Sequence, residues 1–256
     1  MSKSKKTYNA KFFMENTPEW KRKKDSFLLK HFYRPISFYL SAILSNIGIN
    51  ANTVSYISAI VAIIGSICFV FGIKWLAIVG AVIINIWLLM DCIDGNIARC
   101  VKKQPFGEFA DAISSYILVA LMPLCLSIYN FKNGGLLFPS GDYLILIIGS
   151  IAAQSDTLMR LVFQKYRNCE VELINNGIIS KTDGKSRKEE DSSSLIVRIE
   201  MELGLAGVLP LIIMICTIFG KLDIVVIYCF IYYFGSCFLS ILKYVYKAIK
   251  FSKIGE

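Results

Sequence analysis

Six stretches of this chain are long and apolar enough to cross a lipid bilayer, a pattern that points to a bundle of spanning helices. A hydrocarbon core about 30 Å thick takes roughly 20 apolar residues as a helix, and in lipid the backbone polar groups must be satisfied within the segment itself. The stretches run near 51 to 73, 75 to 100, 107 to 129, 143 to 166, 203 to 220 and 222 to 246. At 55% hydrophobic residues the chain is too apolar for a soluble domain. The expected fold is all-α and polytopic: six transmembrane helices over 51–246, an N-terminal segment over 1–50 and a short tail over 247–256.

The N-terminal segment has no continuous apolar run before residue 35 and no small-residue cleavage pattern, so it does not read as a signal peptide. Trp20, Phe27, Leu28, Leu29, Phe32 and Tyr33 alternate with Lys21, Arg22, Lys23, Lys24, Lys30 and Arg34, the composition of an amphipathic helix lying in an anionic headgroup layer. A solvated basic tail is the alternative. Of the 28 lysines and arginines only Lys74, Lys132 and Lys221 fall in connections on one side of the expected spans. The positive-inside rule then puts both termini in the cytoplasm and the protein in the cell (inner) membrane. The net charge of +9 is explained by orientation and lipid contact, with no nucleic acid expected as a partner.

The eight cysteines are scattered, mostly inside apolar stretches and without a CxxC pair, and the single histidine is His31. They read as small core residues rather than disulfides or zinc ligands. The long cytoplasmic connection, 167–196, carries Asn175-Asn176-Gly177 and Lys181-Thr182-Asp183-Gly184-Lys185, which suit either a plain linker or a lid.

The chemistry concentrates where the second stretch ends and the third begins. Asp91, Asp94, Gly95 and Ala98 recur at separations that return to one helix face, and Arg99, Gly107 and Asp111 follow. A carboxylate inside a membrane span costs several kcal/mol unless paired, hydrated or metal-bound. Two on one face, with Asp111 arriving as a third, call for a cation between them, and oxygen-only ligands favour Mg²⁺ or a similar hard ion. Gly95, Ala98 and Gly107 leave room for a broad ligand, and Arg99 offers a fork suited to phosphate. Together these residues suit a metal-bridged diphosphate.

The same residues resemble the signature of the CDP-alcohol phosphotransferase family, Asp-x-x-Asp-Gly-x-x-Ala-Arg, a spacer usually of eight, then Gly-x-x-x-Asp-x-x-x-Asp. Asp91, Asp94, Gly95, Ala98, Arg99, Gly107 and Asp111 match it, with a spacer of seven. Asn52-Thr53-Val54-Ser55 resembles the family's Asn-x-x-Thr/Ser element. The resemblance implies a cytoplasmic site with one or two Mg²⁺ or Mn²⁺ ions on Asp91, Asp94 and Asp111. It further implies a nucleotide and diphosphate pocket lined by Asn52, Ser55, Gly95, Ala98, Arg99 and Gly107. A substituted phosphate or phosphonate would pass from a CDP-linked donor to a lipid or alcohol hydroxyl, releasing CMP, in phospholipid or surface glycolipid and glycan synthesis. The family's usual homodimer is also implied, and Gly65, Gly80 and Gly149 would permit close helix packing.

One position departs. Where the family has its fourth aspartate, proposed as second-metal ligand and general base, this chain has Ser115, a poor base and weak ligand. Glu108 is a possible substitute, seven residues before Ser115 and so about 10 Å nearer the start of the helix. Asp156 and Arg160 can form an i,i+4 pair or face the site, where Arg160 would bind substrate, and Glu200 and Glu202 can face it or lie at the interface. Three function classes follow: an active transferase, a catalytically impaired member that binds nucleotide and metal, and a cation transporter. The small residues at 95, 98 and 107 argue against the transporter.

Overall fold

The computed structural model describes residues 7–177 and 202–252, and among these every regular element is a helix. An N-terminal series of α1 (Ala10–Asn16), α2 (Glu19–Lys24) and a π-helical turn (Leu29–Tyr33) runs into α3 (Arg34–Ile47). There follow α4 (Ala51–Val70), α5 (Lys74–Cys100), α6 (Gly107–Asn133), α7 (Leu144–Asn175), α8 (Leu209–Phe219) and α9 (Leu222–Ser252). The helices α4, α5, α6, α7 and α9 are long and apolar enough to cross a membrane.

The stretch expected to span near 203 to 220 is not one continuous helix. Its helical part is the 11-residue α8, about 16 Å long at 1.5 Å per residue, roughly half a hydrocarbon core. Before it the chain turns, with Gly207 N–H donating to Gly204 (3.0 Å) and Val208 N–H to Glu202 (2.8 Å). Two glycines favour the turn, and Pro210 at the second position of α8 has no N–H to carry a helix back through it.

The described residues divide into two compact units, one running to Leu118 and closing at Phe219, the other starting at Val119 and resuming at Gly220. In the first, α4 and α5 approach so closely that a Cβ on Gly80 would lie 2.7 Å from the Gly65 carbonyl and 2.8 Å from Cys68 Cβ. Glycines expected to serve packing between copies thus serve packing within the chain, and Gly149 in the second unit is likewise pressed on Ser127 and Pro123. Ala51, Val54, Ile93 and Ile97 form a buried cluster ringed by Leu40, Leu44 and Ile49, which fixes the start of α4 against the last two turns of α5.

The N-terminal segment differs from a single helix floating in headgroups. Phe13, Leu29 and Arg34 are buried, and Ser26 Oγ–H donates to the Ala206 carbonyl (2.6 Å). Lys21 and Arg34, both counted above as headgroup cations, turn inward to Asp25. Composition sets the proportion of basic residues in a segment but not which of them point inward. The outer face of α3 keeps Ile36, Tyr39, Ile43 and Ile47 exposed.

In the second unit, α7 stays helical through Asn175, so the connection expected from 167 begins about two turns later. Arg167 and Glu170, an i,i+3 ion pair, help carry the helix on as polar surface. The part of that connection from 178 lies outside the described residues, as does Glu200. At the start of α9, Asp223 is wholly buried, and its carboxylate accepts the Leu137 N–H (2.6 Å) and the Phe138 N–H (3.3 Å). Asp223→Ala takes the acceptor from those partly buried donors and is expected to cost about 1–2 kcal/mol. The check is chemical or thermal unfolding in detergent, and an unchanged midpoint would show that the loop is held by other contacts.

Candidate active site

Two helix starts and a helix end carry the site. Asn50 caps α4, its side chain accepting the Thr53 N–H (3.0 Å), which sets Asn52 and Ser55 on the first turns. The cluster of Val54, Ile93 and Ile97 holds that turn beside α5, and Ser55 Oγ–H donates to Asp94 (2.6 Å). Asp111, in the first two turns of α6, completes the set. One carboxylate oxygen from each of Asp91, Asp94 and Asp111 lies within 4.8 Å of the others. Asp94 is buried, Asp91 half-buried and Asp111 exposed.

A cleft of about 210 Å³ opens beside them, lined by Ala51, Asn52, Ser55, Asp94, Gly95, Ala98, Arg99, Lys103, Gln104, Gly107, Glu108 and Asp111. The absence of a side chain at Gly95 shapes this wall. A Cβ there would sit 2.6 Å from Arg99 Nη2, so the guanidinium can fold back across the helix only over glycine. Asn52 Nδ2–H donates to the Pro105 carbonyl (2.8 Å), and its buried Oδ1 has no hydrogen-bond partner among the described residues. The next residue, Phe106, is 79% exposed with φ 57, left-handed backbone that costs a bulky residue about 1–2 kcal/mol. Its carbonyl accepts from the Phe109 and Ala110 N–H groups and so starts α6.

Ser115 Oγ–H donates to the Ala112 carbonyl of its own helix (3.0 Å). Its neighbour Ser114 belongs to a buried polar net, sharing a hydrogen bond with Ser58 Oγ (2.6 Å) and accepting the Trp87 indole N–H (2.8 Å). Glu108 lies on the cleft rim, paired with Lys103 at 3.1 Å. Arg160 pairs with Asp156 one turn away on α7, in the second unit. Glu202 accepts the Phe27 N–H (2.9 Å).

A second polar cluster, absent from the sequence reading, adjoins the carboxylates. Arg34, 5% exposed, makes a bidentate pair with Asp25 (2.6 and 2.9 Å) and donates to Asn96 Oδ1 (2.9 Å). Asn96, between Asp94 and Arg99 on α5, donates in turn to Ser37 (2.9 Å) and Ser41 (3.3 Å). Lys21 Nζ stands 3.3 Å from the same Asp25 carboxylate, within electrostatic reach of Asp91 and Arg99. Burial would raise the Asp25 carboxyl, but the Arg34 hydrogen bonds and the Lys21 charge outweigh it and hold the group below the usual aspartate range. Burial, then the Arg34 charge, lowers the Lys21 ammonium. For Arg34 the bond to Asp25 overcomes burial and raises it. The only sequence signal for this cluster was Lys21 and Asp25 at i,i+4 in a basic run; the partners of Asp25 and Arg34 lie too far along the chain to be inferred from spacing.

Three carboxylates this close repel unless a cation lies among them, and an all-oxygen donor set with a buried member fits a hard divalent ion. Beside it stand a guanidinium, a glycine wall and an unpartnered amide oxygen, a combination suited to a phosphate-bearing ligand. A family model described as CDP-alcohol phosphatidyltransferase matches residues 49–178, about half the chain and all the elements lining the cleft. No curated protein matches the chain.

Proposed function

Because the chain belongs to the CDP-alcohol phosphatidyltransferase family, whose members transfer a phosphate group from a CDP-alcohol to an acceptor, we propose that it is an active transferase of substituted phosphate, or phosphonate, groups. The observation that carries this is the juxtaposition of the Asp91, Asp94 and Asp111 oxygens with a cleft left open by Gly95, Ala98 and Gly107. The reaction serves phospholipid or surface glycolipid and glycan synthesis at the cytoplasmic face of the cell membrane, in a protein whose termini are both cytoplasmic and which pairs as a homodimer.

In this proposal Asp91, Asp94 and Asp111 hold one or two Mg²⁺ or Mn²⁺ ions. Such ions neutralise charge building on the phosphoryl oxygens. Ser55 orients the Asp94 carboxylate through its hydrogen bond, and Asn52 offers its free Oδ1 to a donor group of the nucleotide. Arg99, lying over Gly95, meets the diphosphate. The acceptor oxygen bonds to the distal phosphorus while the bond from that phosphorus to the bridging oxygen breaks, and CMP leaves with the electron pair. The hydroxyl proton passes to a carboxylate on the cleft, for which Glu108 is the candidate.

Purified protein with Mg²⁺ or Mn²⁺ and a panel of CDP-alcohols and CDP-diacylglycerol is expected to release CMP. A second reading, a member impaired in catalysis, is favoured by Ser115, whose hydroxyl is turned to Ala112. Nucleotide binding without CMP from any donor would support it, and cation flux into liposomes without nucleotide would support a transporter. Ser115→Asp adds a fourth carboxylate one turn beyond Asp111 and is expected to tighten Mn²⁺ binding by about tenfold, read by calorimetry on EDTA-stripped protein. Unchanged affinity would mean that position 115 does not face the metal.

A further inference from the structure

We propose that Ser114 is a positioning residue whose hydroxyl pins α6 to α4 and α5 and so keeps Asp111 beside the ion held by Asp91 and Asp94. The inference rests on the metal reading of the three carboxylates given above. Its ground is the way each carboxylate is carried. Asp91 and Asp94 share α5, so one helix fixes their spacing, whereas Asp111 arrives on a separate helix entered through the left-handed backbone at Phe106. For a third oxygen to join the set, α6 has to be held to within about 0.5 Å. Ser115 does not do this, because its hydroxyl donates to Ala112 on its own helix.

Ser114 lies one turn beyond Asp111 on α6 and is buried. Its Oγ accepts the Trp87 indole N–H from α5 (2.8 Å) and meets Ser58 Oγ of α4 (2.6 Å). The direction of each proton follows from the two ends of this net. The indole nitrogen can only donate, and the Ser55 carbonyl, which takes the Ser58 hydroxyl at 2.8 Å, can only accept. Ser58 has one hydrogen and gives it to Ser55, so Ser114 donates to Ser58. All three bonds therefore run one way, from α5 through α6 to α4, and each polarises the next. The net starts at Trp87, one turn before Asp91 on α5, and ends at Ser55, whose own hydroxyl donates to Asp94. Ser114 thus bonds α6 to the two neighbours of the other carboxylates. A hydroxyl spent on its own helix, such as Ser127 on the Leu124 carbonyl (2.7 Å), fixes no such register.

The test reads Mn²⁺ affinity by calorimetry on the EDTA-stripped full-length protein in detergent, and the melting temperature in EDTA. Ser114→Ala is expected to weaken Mn²⁺ binding about tenfold, and Ser114→Thr, which keeps the hydroxyl, to stay within about threefold of the wild type. Trp87→Phe removes the indole donor and leaves Ser114 bonded to Ser58, so it should weaken Mn²⁺ by a smaller factor. Combining it with Ser114→Ala should lose no more than Ser114→Ala alone, since both act through one hydroxyl. Ser127→Ala, on the same helix, should leave the affinity within about twofold. A hydroxyl that served stability only would lower the melting temperature while the folded protein kept its hold on Mn²⁺. Unchanged affinity in Ser114→Ala, or a loss that Ser114→Thr does not recover, overturns the proposal. A wild-type protein that binds no Mn²⁺ overturns the metal reading itself. Should Ser114→Ala fail to fold, Trp87→Phe carries the test, and unchanged Mn²⁺ affinity there is the overturning result.

Discussion

Asp94→Asn is expected to abolish CMP release, with a loss of at least about 10³-fold, while the protein stays folded. The side chain is 4% exposed and accepts the Ser55 hydroxyl at 2.6 Å, a bond the asparagine carbonyl can still accept. The shape of the site survives and one negative charge is lost. The result depends on where that charge sits. Among three carboxylates within 4.8 Å of each other, removing one weakens the hold on a divalent ion and relieves repulsion when no ion is bound. The variant should therefore melt at or above the wild-type temperature in EDTA and lose the stabilisation that Mn²⁺ gives the wild type. A residue with a purely structural role would show the reverse, a lower melting temperature in EDTA. Residual turnover within tenfold of wild type would remove Asp94 from the metal set.

The readability of this site from sequence follows from the range of its contacts. Asp91, Asp94, Gly95, Ala98 and Arg99 share one helix, so helical periodicity alone places them together, and a short connection brings Gly107 and Asp111 alongside. The apolar stretches of α4 to α7 and α9 were equally legible, because length and hydropathy decide what a bilayer accepts. The stretch near 203 to 220 shows where that criterion fails. Hydropathy averages over Gly204, Gly207 and Pro210, whereas the backbone responds to each of them, and the result is the short α8. The N-terminal cluster was hidden for another reason. Arg34 meets Asn96 and Asp25, and Ser26 meets Ala206, pairings set by packing across long separations in sequence. A basic, aromatic segment looks the same whether its cations face headgroups or a buried aspartate.

Asp25→Asn is expected to be the most destabilising single change in the N-terminal segment, costing about 3–5 kcal/mol, because it leaves Arg34 buried without an anion and Lys21 with no ion-pair partner among the described residues. Asparagine can accept one hydrogen bond from Arg34 but carries no charge to oppose two cations. The loss has a pH signature in the wild type. The folded-state pKa of Asp25 lies below its ordinary value of 3.8, so the pair's contribution is present above that value and is lost as pH falls through the folded pKa. Unfolding midpoints in detergent should thus drop steeply below about pH 4 in the wild type, and this part of the drop should be missing from Asp25→Asn. Exchanging both members for apolar residues, Asp25→Leu with Arg34→Met, should recover much of the stability, since it removes the charges together. It should not recover all of it, because Asn96 Oδ1 then loses its donor. If the double variant proved as unstable as Asp25→Asn, the cluster's value would lie in the hydrogen bonds to Asn96, and the charge of Arg34 would matter only as their source.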